Sequence, residues 1–198
     1  MAKKELLKEG QTEGTEDTNQ ISGTDKKADQ SAQKGSQLYV FFLSSLKDIL
    51  YAENKLVEAL LEMESAASAE ELKDAFEDHH LLTKKHISRL NKIFGILEEK
   101  AEAKECKAIE GILGEAREII KNTPEGSATR DVGLIIGAQK VEHYEIATYG
   151  GLVQLAITLG FEKIADLLER TLEEEEETDQ ELTFIAENHI NPEAEKED

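Results

Sequence analysis

Between residues 37 and 191 the apolar residues recur at helical spacing in four long stretches, and the links joining those stretches are unequal. Only two prolines occur, Pro124 and Pro192, so little interrupts the pattern. A first helix is predicted from about Leu38 to Ala66, with an apolar stripe that includes Phe42, Leu46, Ile49, Leu56 and Leu60. Ser68 followed by Glu71 reads as a capping box and starts a second helix, which runs to about Glu98. A third covers about Arg130 to Leu159. Gly160 interrupts it, and a fourth runs from about Phe161 to His189, stopped by Asn191-Pro192. Helices one and two, and helices three and four, are joined by short links and form antiparallel hairpins. The connection between the hairpins is roughly 30 residues long and carries a short amphipathic helix of its own, about Glu105 to Lys121. A link of that length can traverse the bundle and make helices two and three parallel. One long crossover in a four-helix bundle is the ferritin-like arrangement, so the fold class is all-α and ferritin-like over residues 37–191. A coiled coil is the alternative, but the stripes are wider than a two-position seam and carry polar residues at their centres.

Residues 1–36 are rich in Gly, Ser, Thr, Gln, Lys and Asp and lack apolar periodicity. Such a segment buries too little surface to offset its ordering entropy, and a disordered polar tail is expected there, with an acidic tail over 192–198. The formal net charge of −20 argues against nucleic acid and against an anionic membrane surface as partners. It fits solubility, or a field that draws in cations. Cys106 is the only cysteine, so no internal disulfide can form, and a reducing compartment is expected. No run reaches the roughly 20 apolar residues of a membrane span, and the N-terminus lacks the apolar core of a signal peptide. Cytoplasm is the expected location.

The informative residues are ionisable side chains in the middle of apolar stripes. On a wheel of about 100° per residue, Glu53 is central on the first helix, His79 on the second, Glu142 on the third with Glu145 on the same face, and Glu175 on the fourth with Asp179 one turn on. An unpaired buried carboxylate is costly, so each needs a partner or a metal. At about 1.5 Å per residue, with alternating helix directions, Glu53, His79, Glu142 and Glu175 fall within roughly 6 Å of one level near mid-bundle. The same arithmetic sets His86 about 10 Å away, as a separate polar core residue. Glu77 and His80 make a formal Glu-x-x-His, but Glu77 points away from the stripe. His143 and His189 read as ordinary surface residues, and Tyr51, Tyr144 and Tyr149 as packing or rim residues.

Carboxylate oxygens and imidazole nitrogens suit Fe²⁺, Mn²⁺ or Zn²⁺, and carboxylates projecting from facing helices can bridge two such ions. The candidate ligands are therefore Glu53, His79, Glu142 and Glu175, with Glu145 and Asp179 secondary. A di-metal centre, with iron first and manganese or zinc as alternatives, would suit Fe²⁺ oxidation or peroxide consumption. The competing reading is a metal-free Glu–His hydrogen-bond layer in a non-enzymatic helical protein that acts by dimerisation or by binding a partner.

Three segments carry a family resemblance: Leu-Tyr-Ala-Glu-Asn-Lys-Leu at 50–56, Lys-Val-Glu-His-Tyr-Glu-Ile-Ala-Thr-Tyr-Gly at 140–150, and Leu-Glu-Glu-Glu-Glu-Glu-Thr-Asp at 172–179. Together with Cys106 and Glu110-Gly111, they resemble the YciE/YciF family of bacterial ferritin-like proteins associated with stress responses. The resemblance spans about Ser36 to Asn191. It implies a ferritin-like bundle, a homodimer or higher homo-oligomer, and a rubrerythrin-like metal site. The chain departs from the family where two acidic residues usually precede the Thr of helix two; Leu81-Leu82 stand there instead. If one of those acids is a ligand, this chain has lost it.

Overall fold

The computed structural model describes residues 34–197; most of the tail expected over 1–36, and residue 198, lie outside the described residues. Among the described residues α1 spans Gln37–Ala66, α2 Glu70–Leu97, α3 Lys107–Asn122, α4 Ala128–Thr158 and α5 Glu162–Ile185. A π-helical turn, Ala186–Ile190, leads into a last short helix α6, Asn191–Ala194. No strand is present among them, and no helix is long and apolar enough to cross a membrane. The core is built on apolar stripes of the four long helices: Phe42, Leu46, Ile49 and Leu56 on α1, Leu72, Phe76 and Leu90 on α2, Leu134, Ile135 and Leu152 on α4, and Ile164, Leu168 and Leu182 on α5, all buried.

Chain direction follows from which ends meet. The α1–α2 turn touches the start of α4, through Ser68, Ala69 and Asp131. At the opposite end Phe161, between α4 and α5, packs on Tyr39 and Phe42 near the start of α1. α4 therefore starts where α2 starts and runs parallel to it, as the long crossover requires. The segment after α2 is pinned to α1, with Lys104 N donating to Lys47 O at 3.0 Å and its Nζ reaching Ser44 Oγ at 3.0 Å and Asp48 at 3.2 Å. α3 then packs along α4. A Cβ at Gly133 would lie 2.5 Å from Ile119 Cγ2, so the close approach of α3 to α4 requires a glycine there. Gly160 ends α4 with φ of 71°, a conformation glycine adopts without strain.

Two local expectations need correction. Ser68 does not cap α2; the N-cap is Ala69, with no side-chain cap of its own. The buried carboxylate of Asp131, from α4, takes that role across the bundle. It accepts from Ser68 N at 2.9 Å, Ala69 N at 2.9 Å and Ser68 Oγ at 2.5 Å, and its charge sits at the positive end of the α2 dipole. Nor does Asn191-Pro192 stop the last helix. Proline has no N–H to continue the i→i−4 ladder, and here the strain is absorbed by the π turn, after which Pro192 occupies the first turn of α6.

The Asp131 bonds hold the two hairpins together at one end. Asp131→Ala would leave two backbone N–H groups without their acceptor, and a stability loss of about 1–3 kcal/mol is expected, read as a lower urea midpoint at unchanged slope. Ser68→Ala, which removes only the hydroxyl, is expected to cost less.

Candidate metal centre

Six ionisable side chains meet at mid-bundle: Glu53 from α1, His79 and His86 from α2, Glu142 and Glu145 from α4, and Glu175 from α5. The four carboxylates and His86 have no exposed surface, and His79 has 3%. Each lies on the apolar stripe of its helix, so the packing that buries the leucines above and below carries these groups inward as well. His79 Nδ1 lies 3.2 Å from Glu142 Oε1, and its Nε2 lies 3.4 Å from Glu175 Oε2. His86 Nδ1 lies 2.9 Å from Glu175 Oε1 and 3.5 Å from Glu53 Oε1. The Tyr149 hydroxyl donates to Glu53, and its ring meets that of His86 edge-on.

The donor atoms fall into two groups, within each of which all lie inside 4.8 Å of one another: His79, Glu142, Glu145 and Glu175, and Glu53, His86 and Glu175. Glu175 belongs to both, with one oxygen towards each imidazole. Nine buried atoms of these six residues have no hydrogen-bond partner: both oxygens of Glu142, Glu145 and Glu175, Glu53 Oε2, His79 Nε2 and His86 Nδ1. Buried polar atoms are normally satisfied, so a convergent set of carboxylate oxygens and imidazole nitrogens fits a cation in each group. The arrangement differs from the common pairing of two Glu-x-x-His helices. Here α2 gives both histidines, seven residues apart, and α4 gives Glu-x-x-Glu.

In the metal-free chain protons supply the compensating charge. Desolvation lowers the pKa of His79, but the charges of Glu142 and Glu175 outweigh it and hold the imidazole up at about 9. The same contest at His86, with Glu175 and Glu53 prevailing, leaves it at about 10. Burial raises Glu142 to about 8 and lifts Glu53 and Glu145 as well. At Glu175 the two imidazoles facing its oxygens overcome desolvation and hold it at about 2.

Of the predicted ligands, Glu53, His79, Glu142, Glu145 and Glu175 are brought together. Asp179 is not in either group. It stands at the rim, 22% exposed, 3.3 Å from Gln139 Nε2 and 3.5 Å from His143 Nε2. His86 belongs to the cluster, contrary to the separate position expected of it. Backbone heights omit side-chain reach, and Glu175 spans the two turns between the rings. The signal for His86 was its seven-residue spacing from His79, which keeps it on the same face. Tyr149 is more than the packing or rim residue expected of it, since its hydroxyl donates to Glu53. The Leu81-Leu82 departure does not touch the cluster: Leu81 is 47% exposed and Leu82 is half-buried, outside both groups. Glu77 is exposed, as its angle on the wheel implied. The buried His80 faces the Val57 carbonyl at 3.0 Å.

These shifts fix the pH dependence of the metal-free fold. The raised values of His79, His86 and Glu142 contribute stability below their unfolded values of 6.5, 6.5 and 4.5, lost as pH rises through about 9, 10 and 8. The depressed Glu175 contributes above 4.5, and loses that contribution as pH falls towards about 2. Urea unfolding of the metal-free chain is thus expected to show declining stability from about pH 5 to pH 10, with a second decline on the acid side. The double variant His79→Leu, His86→Leu should lack the alkaline decline due to the imidazoles.

Comparison with known proteins agrees with this architecture. Residues 37–195 match the family model described as a domain of unknown function, DUF892. Protein YciF of Escherichia coli (strain K12) is 44% identical over 158 residues, covering 78% of this chain and 93% of that protein. The crystal structure of the E. coli stress protein YciF superposes with a TM-score of 0.75 at 41% identity, over 79% of this chain and 98% of that one. YcfI of Rhodopseudomonas palustris gives a TM-score of 0.73 at 34% identity, over 75% and 94%. With its ferritin-like bundle, a family model matched from residue 37 to 195 and close similarity to YciF along most of its length, the chain belongs to the YciF family.

Proposed function

We propose that this chain is a metal-binding stress protein whose bundle core holds two divalent cations, iron or manganese ahead of zinc. The observation that carries the reading is the set of nine buried donor atoms without a hydrogen bond, in two groups sharing Glu175. Charge supports it: four carboxylates with neutral imidazoles balance two divalent ions. Imidazole and carboxylate together suit borderline first-row cations. His79, Glu142 and Glu145 would hold one ion and Glu53 and His86 the other, with Glu175 between them. Bound iron would supply one-electron chemistry, suited to Fe²⁺ oxidation or to consumption of a peroxide. The chain's part is to keep the donors fixed and dry. Apolar layers from Ile49 and Leu56 on α1 and from Phe76 and Leu90 on α2 close the site above and below, and Tyr149 fixes one oxygen of Glu53. Assembly as a homodimer or larger homo-oligomer belongs to the same reading, supported by outward-facing Val40 and Phe41 at the start of α1; light scattering tests it.

A second reading has its own observation. The two histidines lie 2.9–3.5 Å from Glu53, Glu142 and Glu175, so protons alone can compensate the cluster. On that reading the layer sets helix register and the protein acts without metal.

Elemental analysis after anaerobic reconstitution with Fe²⁺ is expected to find about two ions per chain, with Glu142→Gln losing at least one. Bound Mn²⁺ or Zn²⁺ is expected to remove the alkaline loss of stability, because a cation replaces the protons that leave. No ion under any loading, with unfolding indifferent to all three metals, would establish the second reading.

A further inference from the structure

The two imidazoles are held differently. Both ring nitrogens of His79 face carboxylates of the cluster, Glu142 and Glu175. His86 faces the cluster with Nδ1 only, and its Nε2 points outward, 2.9 Å from Oε2 of Glu174 on α5. Glu174 is itself clamped by Arg89 of α2, whose Nη1 and Nη2 donate to Oε2 and Oε1 at 2.8 and 3.0 Å. Arg89 also donates to Thr171 Oγ1 at 2.5 Å. The Glu174 side chain is 29% exposed and that of Arg89 16%, whereas His86 has no exposed surface. The three therefore form a chain from the rim to the core.

A carboxylate forked by a guanidinium is ionised and only accepts hydrogen bonds. The hydrogen between His86 and Glu174 must then sit on Nε2, which leaves Nδ1 as the nitrogen available to a cation. Nδ1 has no hydrogen-bond partner and is the atom that faces Glu53 and Glu175. We infer that Glu174, held in place by Arg89, is a positioning residue for His86: it fixes the ring's orientation and tautomer so that Nδ1 serves as the ligand in the Glu53–Glu175 group. Ligand histidines are commonly tied in this way by an outer carboxylate, and losing the tie costs about 10–100-fold in metal affinity. Among the described residues only one of the two groups is supported from outside, so the two ions respond separately to the Arg89–Glu174 pair. The competing view is an ordinary salt bridge between α2 and α5, which would act on overall stability alone.

This inference rests on the metal-binding reading, and its test separates the two. The metal-free full chain is titrated with Co²⁺ against a chelator, following both the ion's absorption and the stoichiometry. In the parent chain about two ions are expected. Glu174→Leu, which removes the acceptor, should weaken one of them by about 10–100-fold and leave the other unchanged. Glu174→Gln, which retains an acceptor oxygen, should lie between that variant and the parent. Arg89→Gln should weaken the same ion, and keeps the test decisive if Glu174→Leu fails to fold. Glu142→Gln should weaken the other ion. Glu177→Gln removes the same charge from an exposed position of the same helix and should change neither. Equal weakening of both ions, no weakening, or an equal effect from Glu177→Gln would overturn the positioning role while leaving the metal centre standing. A parent chain that takes up no Co²⁺ overturns the metal reading, and this inference with it.

Discussion

Four carboxylates with no exposed surface share the middle of this bundle with two imidazoles. Each ion withdrawn from water costs roughly several kcal/mol, so the arrangement survives only because positive charge is delivered to the same place. Both histidines come from α2, and the carboxylates come from the other three long helices. No pair of helices therefore satisfies itself, and the polar layer makes every long helix depend on the other three. That dependence also fixes register. A shift of one turn along α1, α4 or α5 would move a carboxylate among leucines, and the same shift along α2 would withdraw the imidazoles from their carboxylates.

The surrounding structure serves that constraint. Two hairpins with short turns bring α1 against α2 and α4 against α5, and the crossover lets α4 run parallel to α2 so that Glu142 and Glu145 reach the level of His79. Asp131 ties the hairpins at one end, and Phe161 packs on Tyr39 and Phe42 at the other. Glu175 is the hinge of the chemistry: its neighbours Glu173, Glu176 and Glu177 face solvent, and it alone of that run is fully buried.

Much of this was legible in the sequence because it follows from periodicity. An apolar stripe locates the face of a helix, and the break in polarity at Glu53, His79, Glu142 or Glu175 is visible without coordinates. Link lengths gave the crossover. What escaped depends on contacts between distant segments. Ser68 looked like a cap because its local pattern is that of one, yet the acceptor that satisfies the α2 terminus arrives from residue 131. The π turn before Pro192 replaces a predicted stop because backbone strain can be relieved by one widened turn rather than by unwinding. Rise per residue sets His86 apart because it measures backbone, whereas the cluster is assembled by side chains long enough to bridge two turns. Asp179 lies one turn on from Glu175 but at the edge of the buried stripe, where it meets Gln139 and His143 instead of the cluster.

The division into two hairpins has a consequence for how the molecule acquires its structure. Contacts within each hairpin are close in sequence and can form early, since local pairings involve short loop closures. The polar layer is completed only when one hairpin docks on the other, because neither α1 with α2 nor α4 with α5 contains all the partners. Docking is thus the step at which the carboxylates lose water. The pairing within each hairpin should depend little on acidity, while their union weakens when protons are scarce. The site therefore comes into being only when the two hairpins join.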